Sequence, residues 1–120
     1  MQLTWLWVFL GGGLGALARF ALGQLLPRIP GGMAWATLAV NLTGAFLIGL
    51  LAGYLMARSG LRAFWLVGVL GGFTTFSAFS FETLDLLHQR GAALALTYVG
   101  LTLGLGLMAC WGGLKISGHA

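Results

Sequence analysis

The sequence predicts an all-α membrane protein in which four transmembrane helices, the third of them broken, form one domain over residues 1–120. Three observations carry that prediction. First, 59% of the 120 residues are hydrophobic and only 7% are charged, whereas a soluble domain carries about 25% charged residues. Second, a membrane-crossing helix needs about 20 mostly apolar residues, and residues 3–26, 33–57, 63–88 and 92–114 supply four such runs. Third, the third run contains Gly71-Gly-Phe-Thr-Thr-Phe-Ser-Ala-Phe79. In a bilayer every backbone polar group needs a partner, so such an interruption persists only where protein or a hydrated cavity receives the freed groups.

The first run has no Lys or Arg ahead of it and contains Arg19, so it reads as a retained helix and not as a secretory signal. Residues 26–32, with Pro27 and Pro30, form the first loop. The second run is apolar except for Thr37, Asn41 and Thr43, which precede Gly44. Thr37 and Asn41 are four apart and share a helix face. An amide in hydrocarbon has two donors and an acceptor to satisfy, so Asn41 serves either as an inter-helix hydrogen bond or as a donor to a permeating anion. Residues 58–62 form the second turn.

In the third run Phe76 and Phe79 follow the interruption three residues apart. Such a pair is ordinarily packing, but a ring edge is electropositive, and beside Thr75, Ser77 and a donor amide the two rings could favour a small anion. Glu82 and Asp85 lie toward the end of this run, near His88 and Arg90. Glu82 there pairs with a cation, lines a vestibule or is solvated. The fourth run carries Tyr98 and Thr102 four apart, with Gly106 next on that face. They continue a polar stripe, or else bond locally as Thr does and sit at the interface as Tyr does. Cys110, the single cysteine, excludes a disulfide framework and reads as packing.

The net charge of +4 sits at helix ends, where it anchors loops among lipid headgroups, and does not call for nucleic acid. Arg58, Arg62 and Lys115 fall on one side; Arg28 and Arg90 fall on the other, joined by Arg19 if it reaches that surface. So small a bias gives almost no orientation signal, and insertion in both orientations is expected. Four helices leave little room for a hydrated path, so transport implies assembly. Small residues four apart allow close helix approach, and Gly11/Gly15, Gly49/Gly53, Gly68/Gly72 and Gly100/Gly104 place one such pair in each run. Each pair serves a contact either within a chain or between chains. With both orientations present, an antiparallel dimer would imitate the inverted repeats of larger transporters.

No Asp, Glu, His or Lys occupies the middle of a run, so proton coupling lacks its usual groups and passive flow is the simpler expectation. Ser77 has no base within reach, with His88 eleven residues on and His119 in the tail, which argues against nucleophilic catalysis. Small multidrug-resistance antiporters need a carboxylate in the first helix, absent here. A non-transporting membrane subunit that binds partner helices through its glycine faces is the remaining alternative.

Three motifs resemble those of the small bacterial fluoride channels of the CrcB, or Fluc, family: Gly11-Gly-Gly-Leu-Gly-Ala-Leu-Ala-Arg19-Phe20, Thr37-Leu-Ala-Val-Asn41-Leu-Thr-Gly44 and Gly71 to Phe79. The resemblance spans essentially the whole chain. It implies a multi-pass protein of the bacterial inner membrane, an antiparallel dual-topology homodimer whose fluoride pathways let fluoride leave the cytoplasm down its gradient. It also implies a structural, untransported sodium ion at the dimer centre, held by the backbone carbonyls of Gly71 and Thr74. By motif position Asn41 would donate to fluoride, and Phe76 and Phe79 would supply ring edges. Thr75, Ser77, Tyr98 and Thr102 would fall along the polar track, while Arg19 and Glu82 would have structural or vestibule roles. Ala78, where many members have Thr, and Gly106, where some have a hydroxyl, each remove a donor.

Overall fold

The computed structural model describes residues 3–26 and 34–120, together with the backbone of Gln2. Pro27, Arg28, Pro30 and the start of the second run therefore lie outside the described residues. The elements are α1 (Gln2–Leu25), α2 (Trp35–Leu55), α3 (Ser59–Arg62), a π-helical segment (Ala63–Leu70), α4 (Gly71–Phe73), α5 (Phe76–Arg90) and α6 (Ala92–Ile116). Among the described residues, four spans are long and apolar enough to cross a membrane: Leu3–Leu25, Trp35–Leu55, Ser59–Arg90 and Ala92–Ile116. The longest dimension, 46 Å, is close to the ~40–45 Å of a bilayer with its headgroups.

The helix ends differ from expectation by a few residues. The second turn is shorter than residues 58–62, because Arg58 N–H closes onto the Leu55 carbonyl (3.0 Å) and Arg62 N–H already reaches back to Arg58 (2.8 Å). Polar residues do not end the third span at 88. Gln89 Nε2 bonds Asp85 Oδ1 across one turn (2.9 Å), and the helix runs on until Gly91, whose φ of 92° only glycine adopts readily. A second left-handed glycine, Gly118 (φ 77°), stops α6. There Gly118 N–H bonds the Lys115 carbonyl and His119 N–H the Leu114 carbonyl (3.1 and 2.8 Å), the paired bonds of a Schellman cap.

Packing follows the glycines. Gly11 and Gly15 of α1 lie against the backbone of Phe64, Gly68, Val69 and Phe73, and Gly72 lies against Gly12. Two of the glycine pairs thus face each other within one chain. Gly49 of α2 abuts the Cys110 carbonyl of α6, Gly113 of α6 abuts the Phe46 carbonyl in return, and the His119 ring covers Gly53. The spans consequently pair first with third and second with fourth. Gly44 receives the Thr74 methyl and joins the two pairs near the centre. By contrast, nothing lies within 4 Å of a Cβ at Gly100 or Gly104, which leaves that pair free on the outer face of α6.

The small core of Leu38, Phe79, Leu86, Ala95 and Tyr98 sits between α2, α5 and α6. Most other large apolar side chains, among them Trp5, Phe9, Phe81 and Leu107, face outward. In water such a surface would drive association, but toward lipid tails it costs nothing.

Candidate ion site at the helix break

The third span loses its helical hydrogen bonding at Thr74 (φ −79°, ψ 157°) and Thr75 (φ −150°, ψ 122°), both extended. Leu70 closes the incoming helix, its carbonyl accepting from both Thr74 N (3.0 Å) and Thr74 Oγ1 (2.9 Å). A continuous α-helix would next join Thr75 N–H to the Gly71 carbonyl four residues back. Instead Thr75 N–H donates to Asn41 Oδ1 at 2.8 Å, and Asn41 Nδ2 donates to the Thr75 carbonyl at 3.0 Å. Asn41 therefore clasps both backbone groups of Thr75 in a cyclic pair.

A second diversion follows within one turn. Ala78 N–H, due for the Thr74 carbonyl, donates to Thr75 Oγ1 at 3.1 Å, so Thr75 is the N-cap of α5. The Gly72 carbonyl, also left behind by the break, accepts from Arg19 Nε at 3.3 Å. Arg19 thus serves the break and not the second surface. The carbonyls of Gly71 and Thr74 are the ones whose helical donors have been drawn off by side chains. Gly71 and Thr74 are the two positions expected to offer carbonyls to a cation.

Both residues line an open groove of about 450 Å³, together with Asn41, Thr75, Phe76, Phe79 and Thr102. The two phenylalanines divide its wall. Residues three apart on a helix are ~60° apart in projection, so Phe76 stands 78% exposed while Phe79 is buried, their ring centroids 5.7 Å apart. Phe79 continues to Tyr98 at 5.4 Å, making an aromatic file from the open edge into the core. Ser77 Oγ lies 3.3 Å from Thr75 Oγ1 at the start of α5. Buried hydroxyls usually find partners, but Thr102 Oγ1 is buried without a hydrogen-bond partner among the described residues.

Glu82 is not a solvated helix end. Its Oε1 accepts from Thr37 Oγ1 at 2.9 Å and its Oε2 from Tyr98 OH at 3.0 Å, tying α2, α5 and α6 together above the core. Tyr98, fully buried, is accordingly no interfacial tyrosine. Among the described residues no group of three His, Cys, Asp or Glu could hold a metal ion.

The profile of "CrcB-like protein, Camphor Resistance (CrcB)" matches residues 6–114. The chain belongs to this family. Among relatives of the CrcB-like chain, a protein of Novosphingobium aromaticivorans is 49% identical over 84% of this chain and 92% of its own length. One from Thermus thermophilus is 47% identical over 95% of this chain and 94% of its own, and one from Rhizobium meliloti 41% identical over 88% and 89%. Each is named "Fluoride-specific ion channel FluC". The family is thus one of channels and not of enzymes.

In this CrcB-like chain the break gathers Asn41, Thr75, Phe76, Phe79 and Thr102 around one groove, and the sequence pointed to each. Tyr98 lies behind Phe79, one step removed. Thr37 as the partner of Glu82, 45 residues away, was not legible. The only signal was its shared face with Asn41. Gly44, which makes room for Thr74, could be found only as the end of the second motif.

Proposed function

We propose that the chain is a passive, fluoride-selective channel working as an antiparallel dual-topology homodimer in the bacterial inner membrane, where it lets fluoride leave the cytoplasm down its electrochemical gradient. The observation that carries this reading is the groove at the break, lined by two aromatic rings, hydroxyls and a donor amide, in a chain whose relatives bear a fluoride channel's name. Fluoride is small and strongly hydrated, so a pathway must replace its water with donors that hold it loosely. Asn41 has spent one Nδ2 hydrogen on Thr75 and keeps the other for the ion. Phe76 and Phe79 offer electropositive edges. The hydroxyls of Thr75, Ser77 and Thr102 extend the donor set, and the Tyr98 ring backs Phe79. No full positive charge stands in this wall to trap the anion, since Arg19 is engaged at the Gly72 carbonyl.

The exposed Phe76 and the open side of the groove support assembly: a second copy would close the path and exclude lipid from it. The Gly71 and Thr74 carbonyls, stripped of their helical donors, fit a hard cation such as sodium, which prefers oxygen ligands. When bound, the ion would neutralise the carbonyl dipoles at the break and, with the same pair from the partner copy, lock the two chains together. Glu82 holds Thr37 and Tyr98 behind the groove wall, and keeps α5 and α6 in register with α2.

Liposomes loaded with potassium fluoride test the reading. Purified protein plus valinomycin should release fluoride rapidly, while chloride stays inside. Silence toward fluoride, or equal release of chloride, would overturn it.

A further inference from the structure

A second cleft, far from the break, lies where α1 begins and α3 passes into the π-helical segment. Trp7, Gly60, Leu61, Phe64 and Trp65 enclose about 390 Å³. Its walls are rings set edge to face: Trp7 to Phe64 at 6.1 Å and 86°, and Phe64 to Trp65 at 5.0 Å and 86°. Trp7, Leu61 and Trp65 are each more than 40% exposed, so the cleft opens toward lipid and not toward the interior. Gly60 and Leu61 on its rim are bracketed in sequence by Arg58 and Arg62, both exposed.

Among the described residues no acidic side chain pairs with these arginines. The chain has two acidic side chains, Glu82 and Asp85, and both sit in α5, toward the opposite end of the third span. Lys115, over the Trp111 ring at 5.3 Å, adds to the positive character of the same end. Trp7 and Trp65 lie within the first two turns of their spans, and tryptophan near a span end marks the headgroup region. The cleft therefore joins an apolar slot, open to acyl chains, to a pair of unneutralised guanidinium groups at headgroup level.

We infer that this cleft is a binding site for a phospholipid with a net negative headgroup, an acyl segment lying against Trp7, Phe64 and Trp65 and the headgroup held by Arg58 and Arg62. Guanidinium groups match phosphate oxygens in a bidentate fork, and in an anionic headgroup no choline cation competes with the two arginines for the phosphate charge. This site is independent of which ion the chain conducts.

Native mass spectrometry of the purified full chain, titrated separately with dioleoyl phosphatidylglycerol and dioleoyl phosphatidylcholine, tests it. A basic residue near an anionic headgroup is worth about fivefold in affinity, so two give roughly thirtyfold. The wild-type chain should retain one phosphatidylglycerol at correspondingly lower lipid concentration than phosphatidylcholine. R58Q/R62Q should lose that preference, R58K/R62K should keep most of it, and W7A should weaken both lipids together. Equal retention of the two lipids by wild type, or an unchanged preference in R58Q/R62Q, would overturn the assignment. Circular dichroism and the sizing-column profile of the same preparations report folding separately, whichever ion the chain conducts.

Discussion

Removing the Asn41 side chain tests whether the break is held by a clasp. Asn41→Ala deletes two hydrogen bonds, 2.8 and 3.0 Å long, to the N–H and C=O of Thr75, and it offers neither group a replacement. An unsatisfied buried polar group costs ~1–3 kcal/mol, so two cost about 2–6 kcal/mol. Membrane proteins give smaller values, because the unfolded chain in lipid or detergent also finds partners. The lower end, about 2 kcal/mol, is the expected loss. The assay is unfolding of the purified protein by sodium dodecyl sulfate, with fluoride efflux measured in parallel. Asn41→Asp provides the contrast: it keeps the acceptor for Thr75 N–H but loses the donor and adds a negative charge beside the anion path. It should stop flux while costing less stability than the alanine variant. A change below about 0.5 kcal/mol in Asn41→Ala would refute the clasp, since both groups of Thr75 lose their partner at once in a half-buried site.

Thr102→Val, nearly isosteric, should leave stability within about 0.5 kcal/mol because the hydroxyl makes no bond within the chain, yet it should slow fluoride efflux; a stability loss would mean that a hidden partner exists. Phe76→Ile should reduce flux with the dimer intact on a sizing column, whereas dissociation would return Phe76 to a packing role. Thr75→Val removes the N-cap of α5 at a cost of about 1 kcal/mol, and should lower both unfolding midpoint and flux. Gly49→Val drives a side chain into the Cys110 carbonyl and should destabilise by ~1–3 kcal/mol, while Gly100→Val, facing open space, should be tolerated; equal effects would contradict the pairing of the second and fourth spans.

The four spans and the position of the break were legible because a bilayer enforces them: length follows from its thickness, and glycine with hydroxyl residues inside a span must have a reason. Helix ends were less legible. Charged and polar residues such as His88 and Arg90 remain helical, and it is the left-handed Gly91 that stops the helix. The glycine pairs show a different limit. Spacing reveals that a face is small but not what meets it, so Gly11/Gly15 and Gly49/Gly53 could not be assigned within or between chains.

What the sequence determined by itself is the inventory: a membrane chain with few charges, an amide in the second span, and a glycine and hydroxyl break in the third. Those follow from local chemistry and the solvent. Tertiary structure alone decided where the freed backbone groups go. Asn41 and Thr75 are 34 residues apart, and only the packing of α2 against the third span brings the amide onto Thr75, draws the donor from Gly71, and leaves Thr102 facing the groove. Hydrogen bonds between distant residues depend on distance and angle, which no spacing along the chain encodes.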